Sequence, residues 1–461
     1  MARFPLRTAV LISAVALTAC TGGNDTPVTT ADATGQPSAT SPSAAAPTGA
    51  PTGSPTSSPS TSAPELSRLA STPLSAAGDV NAGDAEGREV TIPEGWTAEV
   101  WADVPGARLA AWSPDGRLLV STGDRGDVVA LTPSRGAAPT QTTALEGRDN
   151  PQGLAFAEVG GREMLVLGER TRIVAFDYAN GTVRDEHTLT DGLPGTGHGS
   201  KAVVVDGDHV FFSLGSESNR DPADREGDPE RAVIASVPLA GGEHSVVARG
   251  VRNGFGLDVA PDGSLWTAVN QADNQPYPFE GDAYGTVVRD YVNENPVEQL
   301  TRIDEGTDLG WPYCVPDSRD GTTALPYVND PQHNSDGERL DCALLAPTAV
   351  GLPSHSAPLG LAFTQGTSLE NTIGTGALIA MHGSWNREPP REPSVAFSAW
   401  DAATATLAPP TTLMSGFQDD DGSRWGRPIM AVPGPDGAIY VTDDQAGLVY
   451  RIGPGQGADG M

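Results

Sequence analysis

Short runs in which apolar and polar residues alternate recur along most of the chain: 117–123 (RLLVSTG), 163–169 (EMLVLGE), 209–215 (HVFFSLG), 264–270 (SLWTAVN), 377–383 (ALIAMHG) and 438–444 (AIYVTDD). A period of two over four to seven positions is the mark of a β-strand, and no period of 3.6 persists beyond the N-terminal segment, so the pattern predicts an all-β fold. Several runs sit beside tight-turn sequences: Pro114, Asp115 and Gly116; Asp206 and Gly207; Pro261, Asp262 and Gly263; Pro435, Asp436 and Gly437. Proline presets φ in such turns and glycine accepts a positive value. Six strong strands, spaced by roughly 45 to 110 residues, are what a six-bladed β-propeller of four short strands per blade requires, whereas a sandwich exhausts its strands sooner. Ring closure then predicts that 96–105 (WTAEVWADVP) and 447–453 (GLVYRIG) share one blade.

The first part of the chain does not share this pattern. Arg3 and Arg7 precede the apolar run 9–19, which is long enough for an export signal and too short to span a bilayer. The run ends in Leu17, Thr18, Ala19 and Cys20, which resembles a bacterial lipoprotein lipobox and marks 1–20 as a signal peptide with Cys20 as the lipidated mature N-terminus, on the membrane's extracytoplasmic face. Residues 21–65 are almost wholly Pro, Ser, Thr, Ala and Gly. They carry too little apolar surface to offset the entropy of ordering, and 21–87 is expected to be a disordered linker. The domain is expected over 88–455.

Charge narrows the range of partners. The 59 acidic residues against 28 basic ones give a formal charge of -31, with Lys201 the only lysine. An acidic chain without basic clusters argues against nucleic acid as a partner, and limits membrane contact to the N-terminal lipid. Within the domain only Cys314 and Cys342 remain, and in an exported protein they are expected to form a disulfide. No Cys/His ligand spacing points to structural zinc.

One stretch, 250–270 (GVRNGFGLDVAPDGSLWTAVN), sets Arg252 and Asn253 directly before a strand. In a propeller, polar residues just ahead of the inner strands of different blades converge at the channel mouth. Other segments place His or Arg in the same relation: His198 with Lys201, His355, His382 with Arg387, and Arg427.

Taken in order, NPQGLAF, GSESN, ERAVI, RGVRN, LWTAVN, LGWPYC, HSAPLGLAF, HGSWNR, WGRP and PDGAIYVTDDQAGLVYRI resemble the glucose/sorbosone dehydrogenase family, in its sorbosone dehydrogenase-like branch, over about 149–452. The resemblance implies a six-bladed propeller that binds pyrroloquinoline quinone (PQQ) and oxidises a sugar hydroxyl or a sugar aldehyde by hydride transfer to the quinone. It implies His198 as the catalytic base, with Arg252, Asn253 and Arg427 at the cofactor. A planar guanidinium suits the carboxylates and ortho-quinone oxygens of PQQ, and an imidazole suits proton abstraction near neutral pH. Lys201 is a further candidate for cofactor contact. The resemblance also implies Ca²⁺ on backbone oxygens near Gln271 and Ala272, an oxygen environment that suits a hard cation.

The chain departs from the glucose-oxidising branch in three places. Ser216 stands where an aspartate would orient the base. No lysine is found for the quinone oxygen, for which His382 or Arg387 substitute. Trp425 replaces an arginine, either stacking on a ligand or filling a blade interface. His355 is expected at the pocket mouth or as a turn cap, and Trp311 in the core. A separate molecule must accept the electrons, because no Cys-x-x-Cys-His haem motif is present. Two other readings stay open, a calcium-dependent propeller lactonase and a carbohydrate-binding propeller without catalysis.

Overall fold

The computed structural model describes Leu66 and residues 68–455. The expected signal peptide, Cys20 and the tether to residue 65 lie outside the described residues.

Six sheets, each built on four antiparallel strands, surround one axis as the blades of a β-propeller. From the axis outward, blade 1 runs Ala110–Trp112, Leu118–Ser121, Val128–Ser134 and Ala137–Leu145. Blades 2 to 6 repeat this order from the inner strands Leu154–Val159, Val203–Asp206, Gly256–Val259, Pro358–Phe363 and Pro428–Pro433. The six strongly apolar runs in the sequence are the second strands, one in each blade. Burial explains this: a second strand lies between two others and under neighbouring blades, so both its faces are covered. Every residue of Leu118–Ser121, Leu265–Val269, Gly376–Met381 and Ile439–Asp443 is buried. The inner strands face the channel on one side and are only partly buried, as in Ala110–Trp112 and Gly256–Val259, which weakens their signal.

The ring closes as expected. Trp96–Asp103 pairs antiparallel with Leu448–Pro454, opposing Val100 to Tyr450, so blade 6 contains both ends of the domain. The linker expected over 21–87 ends earlier than its boundary, because Leu69–Ala76 forms a strand in this same blade. That strand pairs antiparallel with Glu89–Pro93 and parallel with Trp96–Asp103. It covers the edge that closure would leave open, and its many Ser, Thr and Pro residues hid it from a reading by composition.

Blade 4 carries the longest excursion between strands. Within it Cys314 and Cys342 form the expected disulfide, with Cα atoms 5.7 Å apart, beside a small cluster that includes Tyr313 and Tyr327. Trp311 is 2% exposed, in keeping with a packing role, and its indole N–H donates to the Asn219 carbonyl. The bridge spans 28 residues, for which loop-closure entropy gives a contribution of about 3–4 kcal/mol. Replacing both cysteines by serine is expected to lower stability by that amount in chemical denaturation, with the circular-dichroism spectrum of the folded state unchanged.

Candidate active site at one mouth of the propeller

Antiparallel order places the start of each inner strand at the same end of a blade as the finish of the second strand. Every candidate residue belongs to one of these two positions. His198 precedes the inner strand of blade 3, Arg252 and Asn253 that of blade 4, His355 that of blade 5 and Arg427 that of blade 6. Asn270 and Gln271 follow the second strand of blade 4, His382 that of blade 5, and Asp444 that of blade 6. His198, Arg252, Asn253, Gln271, His382 and Arg427 accordingly line one cavity of about 230 Å³, joined by His355, Asp273 and Glu298.

Arg252 is 5% exposed and held by three hydrogen bonds. Its Nε donates to the Asn219 carbonyl at 3.1 Å, one terminal nitrogen to Asn219 Oδ1 at 3.1 Å and the other to the Asn270 carbonyl at 3.2 Å. Two of its five N–H groups remain for a ligand. Asn219 also ties down the next loop, donating from Nδ2 to the Asp273 carbonyl and accepting from the Asp273 amide. Arg427 is freer: its Nε donates to the His382 carbonyl at 3.2 Å, and among the described residues its two terminal nitrogens have no partner.

His198 is oriented without a carboxylate. Its Nδ1 lies 2.9 Å from the Ser216 carbonyl and 3.0 Å from Ser216 Oγ. A carbonyl only accepts, so Nδ1 carries the proton and Nε2 presents a lone pair. Gly215 makes this approach possible, since a Cβ there would lie 2.5 Å from His198 Cβ. Burial, reinforced by the Arg252 charge and opposed by the Ser216 carbonyl, pushes the imidazole pKa down to about 4. The ordinary imidazole value expected from the sequence is thus corrected: with nothing bound, His198 is neutral at pH 7 and a weak base.

The imidazole backed by a carboxylate is His382. Its Nε2 lies 2.8 Å from Asp444 Oδ1, while Arg108 donates to Asp444 Oδ2 at 2.6 Å. Burial lowers the His382 pKa, and Asp444 works against that fall. His355 differs again, with Nε2 donating to the Val292 carbonyl at 2.6 Å and Nδ1 3.7 Å from Asp273. Burial opposes its charge, but Asp273, the Val292 carbonyl and Glu298 outweigh that and raise its pKa. Burial pushes the Glu298 carboxyl up to about 7, although it accepts from the Gln271 amide at 2.5 Å.

Three expected contacts are not formed at the cavity. Lys201 is fully buried, with Nζ donating to the carbonyls of Pro194 and Gly199 at 2.7 and 2.5 Å. It braces the His198 loop from beneath, and burial lowers its pKa to about 7. Arg387 turns away to Glu294, at 2.7 Å, leaving Ser384, Trp385 and Asn386 of the same loop on the cavity. Trp425 fills the blade interface: it packs on Phe417 with ring centroids 5.0 Å apart and donates to the Gly416 carbonyl. Gln271 lines the cavity and Ala272, next to it, is buried.

Asp444, Arg108, Asn219 and Glu298 escaped the sequence reading, which set Asp273 only beside the expected calcium positions. Asp444 and Asn219 end quoted motifs, so position was the available signal, but their roles depend on partners in other segments. Arg108 and Asp444 also line a polar lobe of about 410 Å³ over blades 1 and 2, with Asn150 and Gln152.

In histidine-labelled protein, NMR titration is expected to show His198 protonating near pH 4, and Asp444→Asn to lower the His382 midpoint further. An unliganded His198 midpoint near 6.5 would contradict this geometry. The unfolded chain binds that proton at higher pH than the folded one, so stability contributed by neutral His198 falls as pH drops from about 6.5 toward 4.

A family model described as TrAA12-like matches residues 90–454. A pyrroloquinoline quinone-dependent pyranose dehydrogenase of Coprinopsis cinerea is 26% identical over 381 residues, covering 73% of this chain and 51% of that protein. The chain therefore spans about half the length of this curated relative. The holo PQQ domain of pyranose dehydrogenase from Coprinopsis cinerea superposes with a TM-score of 0.66 at 21% identity, over 82% of this chain and 99% of that one. The calcium structure of a Trichoderma reesei carbohydrate-active enzyme of family AA12 does so at 0.65 and 19%, over 79% and 96%. These likenesses agree in fold with the six blades described above, and the match over most of the domain shows that the chain belongs to the TrAA12-like family.

Proposed function

We propose that this mouth is the active site of a quinoprotein that holds PQQ and oxidises a sugar. The observation that carries the reading is the convergence of two guanidiniums from different blades, Arg252 and Arg427, beside the open lone pair of His198. The Arg427 terminal fork, without a hydrogen-bond partner among the described residues, fits a planar polycarboxylate. PQQ in the name of the Coprinopsis relative supports the same assignment.

Arg427, Arg252 and Asn253 would hold the cofactor, which when bound would supply an ortho-quinone able to take a hydride, and with it two electrons, from carbon. His198 Nε2 accepts the substrate hydroxyl proton, which for an aldehyde belongs to its hydrate. Burial is the larger cause of the depressed imidazole pKa, but an anion resting on Arg252 would offset the guanidinium's share of it and make His198 a stronger base in the loaded protein. Asn219 keeps Arg252 in place, and Ser216 fixes the imidazole tautomer. Calcium is proposed on backbone oxygens of the Gln271–Ala272 segment. Among the described residues no group of three or more His, Cys, Asp or Glu side chains is placed to hold a metal, so side chains alone do not build this site.

A sugar suits the surroundings. Trp385 is 75% exposed on the cavity rim and offers an aromatic face to a pyranose, while the lobe of Arg108, Asn150 and Gln152 offers donors and acceptors to hydroxyls. A sorbosone-like aldehyde is the finer form of this proposal. Export and anchoring through Cys20 are proposed on the lipobox-like segment, and a separate acceptor takes the electrons.

Incubation of the protein with PQQ and Ca²⁺ is expected to produce a quinone absorption band that aldoses or sugar aldehydes bleach; no band, with calcium-dependent lactone hydrolysis instead, would overturn the reading. Arg427→Ala is expected to weaken PQQ retention. His198→Ala should retain PQQ and lose roughly 10²–10⁴ in the rate of its reduction, the contribution of a positioned general base. If His382→Ala carries that loss instead, the proton passes to the imidazole backed by Asp444.

A further inference from the structure

The opposite mouth of the channel has different chemistry. There the inner strands and the turns that follow them enclose a cavity of about 590 Å³, to which all six blades contribute. Its walls include Trp112, Val204, Leu257, Phe363 and Met430, and its only ionisable lining residue is Asp258. Small-molecule sites have this size and make-up, apolar walls with a few placed polar groups.

Asp258 gives the cavity its preference. It lies on the inner strand of blade 4, with Oδ1 accepting from its neighbour Val259 at 2.8 Å and Oδ2 from the Phe363 amide of blade 5 at 2.7 Å. These bonds aim the carboxyl group but bring it no counter-charge. Among the described residues no cationic side chain lies within 4 Å of it. The flanking inner strands, Val203–Asp206 and Pro358–Phe363, bring one other titratable group, Asp206, which is exposed and faces a different groove. A carboxylate without a cation in apolar surroundings is costly. Burial accordingly pushes its pKa up to about 6. Trp112, only partly buried, adds to the lining an aromatic ring of the kind that attracts organic cations.

We propose that this cavity binds a hydrophobic organic cation, an aryl- or alkylammonium, with its charge on Asp258 and its apolar body among Trp112, Val204, Leu257, Phe363 and Met430. The walls exclude strongly hydrated inorganic ions, and Asp258 disfavours anions. The proposal is independent of PQQ binding, since no residue is shared between the two mouths.

The test is calorimetric or NMR titration of the full chain with phenyltrimethylammonium and with its neutral isostere tert-butylbenzene. Saturable binding of the cation, at least tenfold tighter than that of the isostere, is expected at pH 7. Affinity should fall about tenfold between pH 7 and pH 5, as Asp258 takes up a proton. Asp258→Asn should abolish that pH dependence, and Val204→Trp should block binding by filling the cavity. The wild-type pH profile serves as the test without any variant, should either substitution impair folding. Equal affinity for cation and isostere, a flat pH profile, or undiminished binding by Val204→Trp would overturn the proposal. Loss of PQQ binding in Arg427→Ala with phenyltrimethylammonium affinity intact is the expected sign that the sites are separate.

Discussion

The pairing of Trp96–Asp103 with Leu448–Pro454 is the contact on which the rest depends. It turns a row of sheets into a ring and so brings the last blade beside the first. Without it, Arg427 and Asp444 near the C-terminus would have no fixed relation to Arg108, which they meet only because blade 6 adjoins blade 1. The Asp444 carboxylate bridges this seam directly, accepting from Arg108 on one side and pairing with His382 on the other. Tyr450, Trp425 and Phe417 fill the closing blade with aromatic contacts. Leu69–Ala76 then covers its edge, so a segment that looks like linker completes the ring.

Given a closed ring, the chemistry follows from strand polarity. Each blade delivers two loops to one mouth and two turns to the other. The loops at the first mouth are long and rich in Arg, His and amides, so they can neutralise charge brought in by a ligand. Buried polar groups there are held by one another: Asn219 serves Arg252 and Asp273 together, Glu298 meets the Gln271 amide, and Ser216 serves His198. Such mutual satisfaction holds a concentrated set of charged groups in a largely buried setting. The turns at the second mouth are short and leave the apolar walls of the inner strands exposed to the channel, with Asp258 as the exception.

The two mouths tune ionisation in different ways. At the first, guanidinium charge and burial act together on His198, so its basicity depends on what occupies Arg252. His382 and His355 experience opposing influences and shift in opposite directions. Three imidazoles of equal intrinsic chemistry thus divide within one cavity, His198 and His382 below the ordinary value and His355 above it. At the second mouth Asp258 has only backbone amides to stabilise its charge, and burial dominates.

Local pattern in the sequence determined the all-β class, the number of blades, the closing strands and the disulfide, because second strands are buried on both faces and record this as hydrophobicity. The ordered motifs likewise picked out His198, Arg252, Asn253, Gln271, His382 and Arg427, all of which meet in the cavity. What only the tertiary structure decided was direction and partnership. Lys201 and Arg387 carry the expected charge but spend it on carbonyls and on Glu294, and Trp425 faces a blade interface. Asp444 and Asn219 gained their roles from residues far away in the chain. A side chain's type is written in its codon, but where it points is settled by the packing around it, and proton affinity follows from that burial and those neighbours.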